Sequence, residues 1–259
     1  MRTPLIALIS GVLAGLLFAG TASAGVVERS GPAPTGKTAQ TANPIYKTGK
    51  LELKKCEEQP VISNDLDSAR VYLEFLMDCL NESWEYQFSK AKLPFSKPSF
   101  ETISRAGRPT ACGKFPKGAQ AIYCNVNKKI TFLLSPEILS QSTELFLFEV
   151  VAHEYGHHVQ QLSGIMGAFA NRKYKSDKAY LAELRKIELQ AECFSGAFLG
   201  SVWQSLGRRQ SDFSYVLDFS YDTVSHGKAT NIAYWLKRGF NQESPGACTT
   251  FSAPASRVA

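Results

Sequence analysis

The stretch "VVAHEYGHHVQQ", Val150 to Gln161, places two histidines four residues apart, with a glutamate directly after the first. Positions i and i+4 of an α-helix lie on the same face, so His153 and His157 can direct their imidazoles at one metal ion. Such pentapeptides also occur in unrelated chains, and alone the motif is a hypothesis. A third ligand, a helical context and a suitable compartment must come from the rest of the chain.

The residues around the motif are typical of a buried helix. Ser142 or Thr143 offers a start, apolar residues surround the histidines in "TELFLFEVVAHEYGHHVQQLSG", and Gly164 is a stop signal. His158 stands one position past His157, about 100° further around the helix. We therefore expect His158 to miss the metal and to have a structural role.

The third ligand is not part of the motif itself. A catalytic zinc usually takes three protein ligands and keeps a fourth position open. The extended pattern His-Glu-x-x-His-x-x-Gly-x-x-His fails, because Gln160 and Ser163 stand at its glycine and last histidine positions. Of the four histidines in the chain, only His226 lies outside the motif. The third ligand is therefore either His226 or a carboxylate.

A second long helical pattern supplies candidate carboxylates in "AELRKIELQAEC". Glu188 and Glu192 lie four residues apart on one face, whereas Glu183 points away from Glu188. Apolar neighbours indicate that Glu188 and Glu192 are buried, and a buried charge needs a partner. Glu188 can then bind the metal while Glu192 reaches a nitrogen of a ligand histidine and orients its ring. The alternative is an amphipathic helix with solvated acidic residues.

Five blocks of the chain resemble, in this order, the bacterial neutral zinc metallopeptidases of the secreted or membrane-anchored type. They are "ACGKFPKGAQAIYCNVNKKITFLL", "HEYGHHVQ", "ELQAEC", "SHGKATNIAYWLKRGF" and "CTTF". The resemblance covers roughly residues 112 to 251. It implies a zincin-like α+β domain, mainly helical, with a small β-sheet and the His-Glu motif on its active-site helix.

The resemblance also implies one catalytic Zn²⁺ held by His153, His157 and Glu188, with Glu192 as the acid behind a ligand histidine. The chain departs from the family at two places. Glu192 stands where the family usually has Asp, and the usual polar pair is missing around residues 228–231. The chemistry attached to that last segment is therefore open.

These residues predict a secreted zinc metalloendopeptidase. Glu154 is expected to act as the general base and to pass its proton to the leaving amine. His226 is our candidate donor to the developing oxyanion, with Tyr221 and Tyr155 as weaker candidates. The strand "KKITFLL", residues 128–134, is a candidate edge along which an extended peptide or protein substrate adds a strand.

Two other functions stay open. One is a catalytically inactive extracellular binding or scaffold protein with a structural metal, which the intact Glu154 argues against. The other is a zinc hydrolase acting on a non-peptide amide, such as one in the cell wall. A nucleic-acid partner is not expected, because the formal net charge is only +6 and no basic run is interleaved with aromatic residues. We take a monomer as the default oligomeric state.

The N-terminus predicts export. A positive start, an apolar run from Pro4 to Gly20, and Ala22 and Ala24 at small-residue positions are typical of a signal peptide over residues 1–24. An uncleaved membrane anchor is the alternative, and after cleavage we expect no stable association with the membrane. Residues 25–50 read as a disordered linker or a short pro-segment, and residues 51–259 as the metallopeptidase domain.

Export makes disulfides plausible, and the chain has six cysteines. Cys112 and Cys124 are the most local pair and the first expected bridge. The coarse picture is three or four helices with one small sheet in the N-terminal half, between residues 99 and 135. The first helix is predicted from apolar residues that recur at helical spacing: Val71, Phe75, Leu76, Leu80, Trp84 and Phe88.

Overall fold

A computed structural model describes residues 30–52, 55–56, 58–141 and 143–259. The predicted signal peptide lies outside the described residues. The helices are α1 (Gly36–Thr41), α2 (Leu66–Lys90), α3 (Pro136–Gln141), α4 (Glu144–Leu162), α5 (Ile165–Ala170), α6 (Asp177–Val202), α7 (Gln210–Leu217) and α8 (Ala229–Gln242). The strands are β1 (Ser99–Ile103), β2 (Pro109–Thr110), β3 (Gly113–Lys114), β4 (Ala121–Cys124) and β5 (Lys129–Leu133). This confirms the expected α+β, mainly helical fold with a small sheet.

The three long helices in this set begin at side-chain caps, and α4 carries the His-Glu motif. Thr143, one of the two expected start residues, accepts a hydrogen bond from the backbone N–H of Phe146. Asp65 and Ser176 cap α2 and α6 in the same way. Each cap satisfies a backbone donor that has no partner inside its helix. Helix α4 then runs through the core between α2 and α6, as its apolar surroundings predict.

The larger sheet has three strands in the order β1-β5-β4. Strand β5 pairs with β1 in parallel and with β4 in antiparallel register. The expectation that residues 128–134 supply a free edge is therefore wrong. The hairpin places β4 on one side of β5, and β1, which comes earlier in the chain, occupies the other. Among the described residues the edge that lies against α4 belongs to β4.

A glycine inside the motif brings α4 close to α6. A Cβ built on Gly156 would lie 2.9 Å from both Cα and the carbonyl oxygen of Ala191. Both atoms belong to the backbone of α6 and cannot turn aside as a side chain can. Gly156 thus sets how closely α4 and α6 can approach each other.

We expect Gly156→Ala to lower the free energy of unfolding by about 1–3 kcal/mol, the usual cost of overpacking. Gly167→Ala is the matched control, because a Cβ at this position of α5 meets nothing within 4 Å. The control should leave stability unchanged or raise it by up to about 1 kcal/mol, the helix preference of alanine over glycine. Urea unfolding of the metal-free proteins measures both. Equal stability of Gly156→Ala and wild type would show that the close approach is not needed.

Residues 36–50 are folded, so the expectation of disorder is wrong for them. Helix α1 is followed by a 3₁₀ turn over Pro44–Lys47, in which Ile45 is completely buried. Asn43 donates from Nδ2 to the carbonyl oxygen of Ser163, at 2.8 Å. The segment has few large apolar residues, but its polar side chains bond to distant backbone. A role as a pro-segment stays a prediction.

Three disulfides join Cys56 to Cys79, Cys112 to Cys124, and Cys193 to Cys248. The first expected bridge is confirmed. Disulfides of this kind are typical of proteins from oxidising compartments such as the periplasm or the extracellular space. In the part of the chain that the structure describes, no helix has the length and hydropathy needed to cross a membrane.

Candidate metal centre

Helices α4 and α6 bring two histidines and one glutamate together, as predicted. Nε2 of His157 lies 3.0 Å and Nε2 of His153 lies 3.4 Å from Oε2 of Glu188. The possible ligand atoms of these three residues all lie within 4.8 Å of one another. His153 and His157 are only 8% and 9% exposed. A single small cation could therefore contact all three.

His226 also reaches this cluster, from the loop before α8. Its Nε2 lies 3.3 Å from the same Oε2 of Glu188. Its Nδ1 lies 3.0 Å from the hydroxyl of Ser225 and 3.3 Å from that of Thr223. These two hydroxyls hold the imidazole ring on the side opposite Glu188. The two candidates for the third ligand, Glu188 and His226, thus lie side by side next to the histidines of α4.

The two tyrosines considered as oxyanion donors differ in position. Tyr155 is completely buried and donates its hydroxyl hydrogen bond to Asn81, at 2.8 Å, so it does not face the cluster. Tyr221 lines the cleft beside the cluster and is 62% exposed. His226, in contrast, contacts Glu188 of the cluster directly.

Two carboxylates lie behind His153. Oε1 of Glu192 is 3.5 Å from Nδ1 of His153, on the ring edge opposite Glu188, which is the position expected from the sequence. Glu149 forms a second buried group with His153 and Glu192, with ligand atoms within 4.8 Å of one another, and was not predicted from the sequence. A signal was present, because Glu149 stands four residues before His153, on the same face of the helix, and its immediate neighbours are apolar. A carboxylate there needs a partner.

The electrostatics of the cluster favour positive charge on His153 and His157, whereas burial lowers the pKa of His226. Burial by itself lowers the pKa of His153, but Glu192 and Glu188 outweigh it and hold this pKa well above its ordinary value. Burial raises the pKa of Glu188, yet His157 and hydrogen bonds from both histidines bring it well below its usual range. Burial and the charge of Glu192 raise the pKa of Glu149 well above its ordinary value.

Glu154 lies on the wall of a cleft of about 380 Å³ that opens over the cluster. Burial raises the pKa of its carboxyl, and the nearby His157 and His153 oppose the shift. A backbone hydrogen bond from Tyr123 of β4 also reaches this carboxylate. The other walls are partly apolar and include Phe146, Val150, Phe219 and Ile232.

His158 faces away from the cluster, as its place on the helix predicts. Its Nε2–H donates to the carbonyl oxygen of Ser96, at 2.7 Å, and Nδ1 lies 3.1 Å from the hydroxyl of Tyr123. Burial lowers its pKa to about 4, which keeps the ring neutral in the core. Glu183 also lies apart from the cluster, in ion pairs with Arg172 and Lys186.

The donor set fits zinc. Two imidazole nitrogens and one carboxylate are the ligands of many catalytic zinc sites, which keep a further position open. The two histidines hold the pKa of Glu188 well below its usual range, so its carboxylate can bind a cation in their place. The three residues that would hold the ion are therefore in place, and His226 lies beside Glu188.

Residues 45–214 match the model of the family described as "Putative neutral zinc metallopeptidase". The chain belongs to this family. The match begins before α2, further towards the N-terminus than the resemblance suggested, and it includes the motif, Glu188 and Glu192. It ends before His226, so membership in the family says nothing about that residue.

The relatives align with the chain over long stretches, and their descriptions state no activity. The chain is 26% identical over 213 residues to the uncharacterised protein YpfJ of Escherichia coli strain K12, covering 73% of this chain and 74% of YpfJ. It is 26% identical over 179 residues to the uncharacterised proteins Mb2605 of Mycobacterium bovis and Rv2575 of Mycobacterium tuberculosis, covering 56% of this chain and 59% of theirs. No solved structure matches the chain.

Proposed function

We propose that this protein is an exported zinc-dependent endopeptidase. One observation carries the proposal: the donor atoms of His153, His157 and Glu188 converge at the cleft in which Glu154 also lies. A structural metal site has no use for a glutamate at that position. The three disulfides and the predicted signal peptide support export.

His153, His157 and Glu188 would hold the ion. When bound, zinc supplies Lewis acidity, which polarises a carbonyl group and lowers the pKa of water to about 7. Glu154 accepts the proton of the attacking water on its carboxylate and later delivers it to the nitrogen of the leaving amine. The raised pKa of Glu154 suits a group that must both take and release this proton.

His226 would donate a hydrogen bond from Nε2 to the oxygen on which negative charge develops. The hydroxyls of Ser225 and Thr223 at Nδ1 hold the ring in the orientation that turns Nε2 towards Glu188. Hydrogen-bond donors that are oriented before the reaction stabilise the transition state without having to reorganise during it.

Strand β4 would bind the substrate backbone. The carbonyl oxygen of Gln120 bonds to the N–H of Leu133 at the β5 side. Because antiparallel residues alternate between facing the partner strand and facing away, Ala121 turns its N–H and C=O to the free edge. Ala121 also lines the cleft, so an extended peptide could pair there and pass over the metal site.

Removal of the metal tests the function. We expect the purified mature chain to contain one zinc, to cleave casein or a peptide library, and to lose both after treatment with a chelator. Adding zinc back should restore cleavage, and adding magnesium should not, because magnesium prefers oxygen ligands and octahedral geometry.

Three results would contradict this proposal in different ways. A protein without zinc rejects the site. A zinc protein that cleaves no peptide but releases fragments from cell-wall material is an amidase of another class. A zinc protein inactive on both substrates is the binding or scaffold protein considered above.

A further inference from the structure

His157 is held by a residue to which the proposed chemistry gives no role. Its Nδ1 lies 2.9 Å from Oε1 of Gln160, which stands one turn further along α4. Gln160 is polar, yet it lies in the core between α4 and α6 and has no solvent exposure. A buried amide of this kind needs partners for its oxygen and for both N–H groups.

The partners of Gln160 determine which way its amide faces. Its Nε2 donates to the backbone carbonyl oxygen of Ile187 at 2.8 Å and to Oε1 of Gln190 at 3.1 Å. A carbonyl oxygen can only accept, so a flipped Gln160 would set its own oxygen against that of Ile187. Oε1 of Gln160 must therefore face His157. Nδ1 of the ring then carries a proton, and Nε2, which points at Glu188, is the nitrogen left to bind a metal ion.

Gln190 extends this hydrogen-bonded chain to two distant parts of the molecule. Its Nε2 donates to the carbonyl oxygen of Cys248 at 2.7 Å and to the hydroxyl of Tyr46 at 2.8 Å. The hydroxyl of Tyr46 in turn donates a hydrogen bond to the carbonyl oxygen of Gln40, at 3.0 Å. The carbonyl of Cys248 can only accept a hydrogen bond, so it fixes the orientation of the Gln190 amide in the same way as the carbonyl of Ile187 fixes that of Gln160. The disulfide from Cys248 to α6 keeps that carbonyl in place.

The two ligand histidines are thus oriented by different chemistry. His153 has the carboxylate of Glu192 at Nδ1, whereas His157 has a neutral amide. A second carboxylate beside His157 would add negative charge to a site that already contains Glu188, Glu192 and Glu154. The amide sets the tautomer of His157 without adding this charge.

We propose that Gln160 and Gln190 form a positioning relay that holds His157 with its proton on Nδ1 and Nε2 free for the metal. The relay is anchored on the backbone carbonyls of Ile187 and Cys248, and Tyr46 ties it to the folded N-terminal segment. Gln160 and Gln190 are positioning residues and touch neither substrate nor the ion. The inference rests on the proposed metal site and does not depend on peptide hydrolysis.

Zinc affinity is the direct test, measured by chelator competition on folded, metal-free protein. Gln160→Leu should weaken zinc binding roughly 10–100-fold, the usual effect of losing a hydrogen-bond partner of a ligand histidine. Gln190→Leu should have a smaller effect, because Gln160 keeps its bond to Ile187. Gln160→Met has nearly the same length and replaces the leucine variant should that one not fold. It should also weaken binding, since a thioether cannot donate to the carbonyl of Ile187 and accepts only weakly from Nδ1–H of His157.

Two controls and a spectroscopic signature separate positioning from packing. Gln161→Leu makes the same change next to Gln160 and should bind zinc as wild type does. Tyr46→Phe removes a hydroxyl at the far end of the relay and should change stability more than zinc affinity. In zinc-loaded protein labelled with ¹⁵N-histidine, the Nδ1–H proton of His157 should be protected from exchange with water, and Gln160→Leu should remove this protection.

Wild-type zinc affinity in Gln190→Leu together with Gln160→Leu, or with Gln160→Met where the leucine variant does not fold, would overturn the relay. A loss of affinity equal in Gln161→Leu and Gln160→Leu would also overturn it, because packing would then explain the effect. A wild-type chain that binds no zinc rejects the relay together with the proposed function. A chain that binds zinc in the expected order of variants but cleaves no peptide rejects the peptidase alone.

Discussion

Glu154→Gln is expected to abolish peptide cleavage while zinc stays bound. The substitution keeps the size of the side chain and removes the group that accepts the proton, and general acid–base catalysis contributes typically about 10²–10⁴-fold to a rate. Glu154 is not among the three clustered donor residues, so zinc content should not change. The measurement compares kcat/KM and bound zinc in the variant and in wild type.

An exposed glutamate gives the matched control for this experiment. Glu82 lies on the outer face of α2, and Glu82→Gln removes the same charge far from the cleft. It should be as active as wild type. An active Glu154→Gln protein would rule out Glu154 as the base, and a variant that lost zinc as well as activity would assign it to the ligand set instead.

Glu188→Ala is expected to remove zinc from the protein. Glu188 supplies the carboxylate that lies against both His153 and His157, and its loss also leaves these two buried imidazoles without their counter-charge. The loss of affinity should exceed the roughly 100-fold upper limit for residues that only orient a ligand. Zinc content after dialysis and chelator competition both measure it.

Glu183→Ala is the control, because Glu183 lies on the same helix but is paired with Arg172 and Lys186. It should retain zinc and activity. A third variant, His226→Gln, separates the two candidates for the third ligand. If Glu188→Ala keeps zinc and His226→Gln loses it, His226 is the ligand and the assignment of Glu188 is wrong.

Local spacing made much of the centre predictable. His153 and His157 share a face because an α-helix repeats every 3.6 residues, and the same rule paired Glu188 with Glu192. It also predicted that His158 turns away. The start of α4 at Thr143 follows from the chemistry of unsatisfied backbone N–H groups. Each of these inferences needs only neighbours in sequence.

The missed features involve contacts between distant segments. Strand β5 looked like an edge because its alternation shows which side chains share a face, but not which strands flank it. The segment 36–50 looked disordered because its composition is polar, whereas Asn43 and Tyr46 anchor it through hydrogen bonds to residues more than a hundred positions away. Gln160 appeared in the sequence only as a residue that breaks a familiar pattern.

The sequence by itself therefore determined the two helix faces that carry the chemistry, and the order of its five blocks indicated the family. Only the tertiary structure decided that these faces meet, that His226 arrives beside Glu188, and that Gln160 and Gln190 link His157 to Cys248 and Tyr46. The physical reason is the range of the interactions. Helical periodicity acts over a few residues, whereas packing and buried hydrogen bonds join whichever segments the folded core brings together.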